Sequence, residues 1–109
     1  MEYQPNSYKV TMLLPLFKRL HEKVSEETLE WAQNELTRLR QGWTRLGKVK
    51  GYWHGDTDEN IMVFVILTNP SDDDISALKS FLRECRQKNR FDQQAMYWEM
   101  VPVYYEEIQ

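Results

Sequence analysis

The chain of 109 residues has one cysteine, Cys85, so no disulfide can close within it, and a reducing compartment suits it. Long apolar runs are missing too. The longest, Ile61 to Leu67, falls far short of the ~20 residues that a bilayer-spanning helix needs. No basic segment leading into an apolar stretch marks a secretory signal. There is no internal repeat, no low-complexity tract and no linker. The expectation is therefore one soluble, cytoplasmic domain over 1–109, with residues 1–7 flexible and no membrane partner. An excess of positive charge is also absent. The net charge is -3, which argues against a dedicated nucleic-acid binder.

Apolar and aromatic residues are plentiful. Hydrophobic content is 41%, enough for a packed core rather than disorder. Four Trp, six Tyr and four Phe are more aromatics than a small core holds comfortably, so some of them reach the surface and can serve an interface. The charges divide unevenly. Residues 1–55 carry nine Lys and Arg against six Asp and Glu, and residues 56–109 carry five against eleven. That asymmetry can help one copy dock on another, although solvated faces explain it more simply.

In Tyr8-Lys-Val-Thr-Met-Leu-Leu14, the residues Tyr8, Val10, Met12 and Leu14 alternate with Lys9, Thr11 and Leu13, which reads as a strand that Pro15 stops. Residues 16–24 read as a loop or one helical turn. Ser25 caps a helix whose first turn carries Glu26 and Glu27. Leu29, Ala32, Leu36 and Leu39 form its apolar stripe, and Gly42 suits a C-cap. Residues 43–54 read as an edge strand guarded by Lys48 and Lys50, with a bulge at Gly47 or Gly51. The polar segment 55–60 reads as a hairpin loop, and 61–67 as a central strand. Ser71 and Asp74 have capping-box spacing and open a second helix with the stripe Ile75, Leu78, Leu82 and Cys85 and with Phe81 beside it. A last strand is expected over 94–101, and Pro102 after it demands an edge position or a strand end. The stretch Val101-Pro-Val-Tyr-Tyr-Glu-Glu-Ile-Gln109 stays apolar and aromatic, so it is expected to pack on something.

The order β-α-β-β-α-β is the split βαβ pattern: an α+β fold with a four-stranded antiparallel sheet and two helices on one face. Strands one and three are then central, which agrees with the apolar third strand, the lysines on the second and the proline on the fourth. The chain thus resembles the ferredoxin-like superfamily over nearly its whole length. Within it, the aromatic open face resembles the dimeric α+β barrel group, whose members pair their sheets face to face and include haem- and quinone-related oxygenases. Gly42-Trp43-Thr44 and Gly51-Tyr52-Trp53 are similar to patterns in small bacterial ferredoxin-like families of unknown function. No catalytic residue of those families has a match here.

The stretch Gly51-Tyr-Trp-His-Gly-Asp-Thr-Asp-Glu-Asn60 gathers His54, Asp56, Asp58 and Glu59. Zinc needs three or four converging ligands, and a calcium loop needs a twelve-residue frame with a terminal glutamate. Neither is present, and Gly, Asp, Thr and Asn are what a turn requires. No metal or cofactor is expected. His21 beside Glu22 can act as an acid or base near neutral pH, but its basic neighbours suit a solvated connector. His21 and His54 are the weak catalytic candidates. Cys85 lies on the buried stripe and reads as core. The Lys/Arg-Gly-aromatic run that RNA-binding members of this topology use is missing from 61–67, so no nucleic-acid partner is expected.

The aromatics carry the functional lead. Trp31 is about 200° around the helix from Leu29, on the polar face. Trp43, Tyr52, Trp53, Tyr97 and Trp98 fall on the edge strands, and Tyr104 and Tyr105 follow the last one. These eight residues are the expected binding or interface set. The leading reading is a homodimeric binding or regulatory module, with a possible small ligand. The rival is a small oxygenase- or isomerase-like enzyme with a pocket between sheet and helices.

Overall fold

The computed structural model describes residues 3–40, 42–53 and 56–109, with Trp53 through its backbone. Strand β1 spans Ser7–Pro15, helix α1 Glu26–Leu39, strand β2 Thr44–Trp53, strand β3 Asp56–Thr68, helix α2 Asp72–Cys85 and strand β4 Trp98–Val103. One antiparallel sheet has the order β2-β3-β1-β4, so the domain is a ferredoxin-like βαββαβ fold with β1 and β3 at the centre.

The period-two pattern sorts the two faces of the sheet. Val10, Met12 and Leu14 of β1 and Ile61, Val63, Val65 and Leu67 of β3 are buried against the helices. Residues paired across a ladder share a face, so Trp98 opposite Met12 and Met100 opposite Val10 also turn toward the helices. The open face carries Leu13, Met62, Phe64 and Ile66, all half-buried.

Both helices are capped as their sequences demand. The Ser25 hydroxyl accepts the Thr28 N–H, and Ser71 and Asp74 form a reciprocal capping box. Ala32 and Leu36 are fully buried on α1, with Leu29 and Leu39 at the margin of the core. Leu78, Phe81, Leu82 and Cys85 are buried on α2.

Several expected boundaries move. Asp56 to Asn60 belong to β3 rather than to a loop: the ladder runs from Thr44↔Phe64 to Trp53↔Asp56. Polar residues pair as well as apolar ones when both faces at a sheet end are wet, which is why composition misled. Helix α1 stops at Arg40, whose N–H donates to the Leu36 carbonyl, so Gly42 is not its cap. The bulge falls between Arg45 and Gly47, where Gly47 takes the positive φ of 114° that disfavours any side chain. Strand β4 begins at Trp98 and contains Pro102, rather than running over 94–101. The Tyr97 and Val103 carbonyls accept from Leu13 and Asn6, so odd-numbered residues of β4 bond inward and Pro102 points its missing N–H outward.

Candidate functional site

The chain leaves β1 through a small hairpin. Phe17 and Lys23 form a bridge, and the Lys18 N–H donates to the Glu22 carbonyl at 2.6 Å. At its tip Leu20 and His21 take φ of 67° and 62°, left-handed values that cost a non-glycine residue about 1–2 kcal/mol each. Leu20 is also 96% exposed, so packing does not repay that strain locally. The hairpin is held from outside. Arg19 bonds Asp92 at 2.8 Å, and Gln93 Nε2 donates to the Phe17 carbonyl at 2.8 Å. Phe91, fully buried next to them, anchors that clamp in the core.

A cleft of about 690 Å³ opens between this hairpin, the start of β3 and the segment before β4. Its floor is apolar, with Leu13, Pro15 and Met96. The hairpin wall carries Lys18, Arg19 and His21, while the β3 wall carries Asp58 and Glu59, with Lys50 paired across the ladder to Glu59. Strained backbone beside a cleft of this size is a common mark of a binding site. A second cleft, about 600 Å³, lies between α1 and the β2–β3 edge, with Glu26, Glu30, Arg45 and Lys48 among its lining. His21 borders the first cleft and not this helix-side one. Among the described residues no three His, Cys, Asp or Glu side chains gather where they would hold a metal ion.

The eight aromatic candidates do not form one surface. Trp31 does not sit on a polar face: it stacks on Phe81 of α2 at 6.0 Å, with the Arg90 guanidinium 3.8 Å above its ring. Trp43 packs against the core margin and donates its indole N–H to Thr37 Oγ1 at 2.9 Å. Trp98 faces the helices, where Lys79 Nζ lies 5.4 Å from its ring centre. Tyr97 lines the end cleft and donates to Glu99 at 2.7 Å. Tyr52 is 78% exposed near the end of β2. Tyr104 touches Tyr3, and the Tyr105 backbone exchanges two hydrogen bonds with the Asn6 side chain. His54 lies outside the described residues, as does the side chain of Trp53.

Sequence reasoning missed two features. The open face is carried by Leu13, Met62, Phe64, Ile66 and Val101, with Phe64 as the aromatic among them, and the uninterrupted apolar run of β3, which puts apolar residues on both faces, is its signal. The strained hairpin tip has no such signal, because Leu is unusual at a left-handed position. Cys85 is fully buried, and that burial, helped by the nearby Glu84, pushes its thiol up to about 12, which removes it as a nucleophile near neutral pH.

The fold places the chain among ferredoxin-like α+β domains, and no helix among the described residues is long and apolar enough to cross a membrane. The sequence matches no protein-family model and no curated protein. Among solved structures it is similar to a DUF3240 family protein from Shewanella baltica OS155, with TM-score 0.62 and 10% identity over 95% of this chain and 97% of that one. It is also similar to Arabidopsis thaliana PII bound to citrate, with TM-score 0.56 and 14% identity over 91% and 78%. A phage SAM lyase in complex with S-methyl-5'-thioadenosine gives TM-score 0.54 and 13% identity over 94% and 85%. At such identities the likeness is one of fold.

Proposed function

We propose that the protein is a homodimeric binding module that self-associates through the open face of its sheet. The observation that carries this is the row Leu13, Met62, Phe64, Ile66 and Val101, an apolar face that neither helix covers. Both sheet edges are poor alternatives. The β2 edge carries Lys48, Lys50 and the bulge, and the β4 edge carries Pro102. The face also holds charges of both signs, Lys9 over the Phe64 ring and Glu99 on β4. The cleft at the Pro15 end opens beside this face, and its strained wall is fixed in advance by the Arg19–Asp92 clamp.

Light scattering across a concentration series tests the reading. The expected result is a dimer that Phe64→Asp converts to a folded monomer, judged by an unchanged far-ultraviolet spectrum. A strict monomer at high concentration, or a dimer untouched by Phe64→Asp, overturns it.

A further inference from the structure

The segment 104–109 leaves the sheet after Val103 with an unusual mixture of side chains. Tyr104 and Tyr105 are exposed, and Ile108 is 82% exposed. Among the described residues, Glu106 and Glu107 accept from the Tyr104 and Tyr105 hydroxyls and meet no cation. The end cleft offers the complement: an apolar floor and a hairpin wall with Lys18, Arg19 and His21. Resting on the face-to-face dimer proposed above, we infer that the end cleft of each copy receives the Tyr104–Gln109 segment of the other.

Reach decides that the segment comes from a second copy. Val103 pairs with Ser7, at the opposite end of β1 from Pro15. The nine residues Ser7–Pro15 make eight steps of strand, about 27 Å. β4 also runs away from the cleft. Six residues extend to at most about 21 Å, and the Asn6–Tyr105 bonds fix the first two of them. The segment cannot turn back into its own cleft. Two sheets stacked about a two-fold axis lying across the strands place the Ser7 end of each over the Pro15 end of the other. Each segment then starts near the second copy's cleft, and the exchange is reciprocal. Area points the same way. A four-stranded face of this length is about 19 by 27 Å, or roughly 500 Å² per copy against the ~800 Å² per partner of a standard interface. Two inserted segments supply part of the difference. The Asp58 and Glu59 wall sets the orientation, because the Glu106 and Glu107 carboxylates are driven to the hairpin side.

Disulfide trapping between full-length chains tests this. Cys85 is buried and does not compete. A chain with Ile108→Cys is mixed with one carrying Leu20→Cys, and separately with one carrying Ser80→Cys, exposed on α2. The expected result is mixed-disulfide formation with the Leu20 variant about ten-fold faster or more, the gain that proximity within a dimer provides. Adding Glu106→Lys and Glu107→Lys to the Ile108 variant is expected to abolish that preference. Equal rates with both partners in a protein that light scattering shows to be dimeric overturn the segment exchange and leave the face-to-face dimer standing. Equal rates in a monomeric protein overturn both. A preference that survives the charge reversal also overturns the assignment of the hairpin wall as receptor.

Discussion

Arg19 and Asp92 stand 73 residues apart in sequence and are joined twice, by a side-chain contact of 2.8 Å and by the Arg19 N–H donating to the Asp92 carbonyl at 3.3 Å. This contact holds a hairpin whose tip would otherwise relax. Leu20 can therefore be replaced to advantage. Because it is almost fully exposed, Leu20→Gly loses no packing and removes a left-handed side chain. The expected gain is about 0.5–1 kcal/mol, less than the full strain because glycine also loosens the unfolded chain. Leu20→Val, branched at Cβ, is expected to lower stability by a similar amount. Urea midpoints of the two variants check the sign. Asp92→Asn is expected to cost under ~1 kcal/mol, since Arg19 is half-exposed. It should nonetheless speed amide exchange at His21, whose N–H donates to the Lys18 carbonyl. Unchanged exchange there would sink the clamp.

Ser71, Asp74 and Arg40 link the start of α2 to the end of α1. The Ser71 hydroxyl accepts the Asp74 N–H, the Asp74 carboxylate accepts the Ser71 N–H, and Arg40 reaches the same carboxylate at 2.7 Å. The Ser71 N–H, and after it Arg40, holds the Asp74 carboxyl below the usual carboxylate range. The stabilisation is then present above the unfolded-state value and is lost as pH falls through the lower folded-state value. Ser71→Ala is expected to cost about 1 kcal/mol at neutral pH. Asp74→Asn should flatten the acid limb of the stability profile, measured by thermal unfolding from pH 6 to about pH 2. A steeper acid limb in Asp74→Asn would contradict the assignment.

Much of this was legible in the sequence, for identifiable reasons. Caps announce themselves by spacing, so Ser25 and Ser71 were placed to the residue. Central strands announce themselves by uninterrupted apolar runs, so β3 and the strand order followed. What depended on pairing did not. Tyr97 and Trp98 are neighbours that alternation sends to opposite faces, and only the register with Met12 says which one faces the helices. Trp31 misled because a helical wheel drawn on Leu29 and Leu36 describes one buried stripe. α1 has a second flank against α2, marked by the burial of Thr28 and by Phe81 under the Trp31 ring. The strained tip at Leu20 and His21 was invisible because tertiary contacts from Asp92 and Gln93 impose it.

Cys85 gives a test at the opposite end of the pH scale. Its burial, with Glu84 adding repulsion, raises the thiol to about 12. In the unfolded chain a cysteine titrates near ~8.5. The unfolded state therefore releases a proton first, and stability is intact below the unfolded value and declines as pH rises toward the folded one. Urea unfolding at intervals from neutral pH to about pH 11 should show the decline. Cys85→Ala, despite a lower stability at neutral pH, should decline less over the same interval. Tyr97, Tyr104 and Tyr105, raised by their glutamate partners, share the alkaline limb and persist in that variant. A thiol reagent is expected to leave native Cys85 untouched at pH 8 and to label it fully in urea. Rapid native labelling would contradict its burial.

Pro102 separates association by the sheet face from association by the sheet edge. It pairs with Tyr8 on the edge strand and directs its ring nitrogen away from the sheet, where an N–H would serve an incoming strand. Trp98 and Met100 are then the outward donors left on β4. Pro102→Thr restores the third donor and suits a strand. If the dimer forms through Met62 and Phe64, its dissociation constant should change by less than about two-fold in Pro102→Thr, because the change lies on an edge the face-to-face interface does not use. Slow, larger assemblies should appear on standing instead, since the variant edge can template further strands. Sedimentation velocity resolves the two species. A dimer tightened about ten-fold by the substitution, a change of ~1.4 kcal/mol, would mean that β4 edges already meet in the natural assembly. The open face would then need another partner.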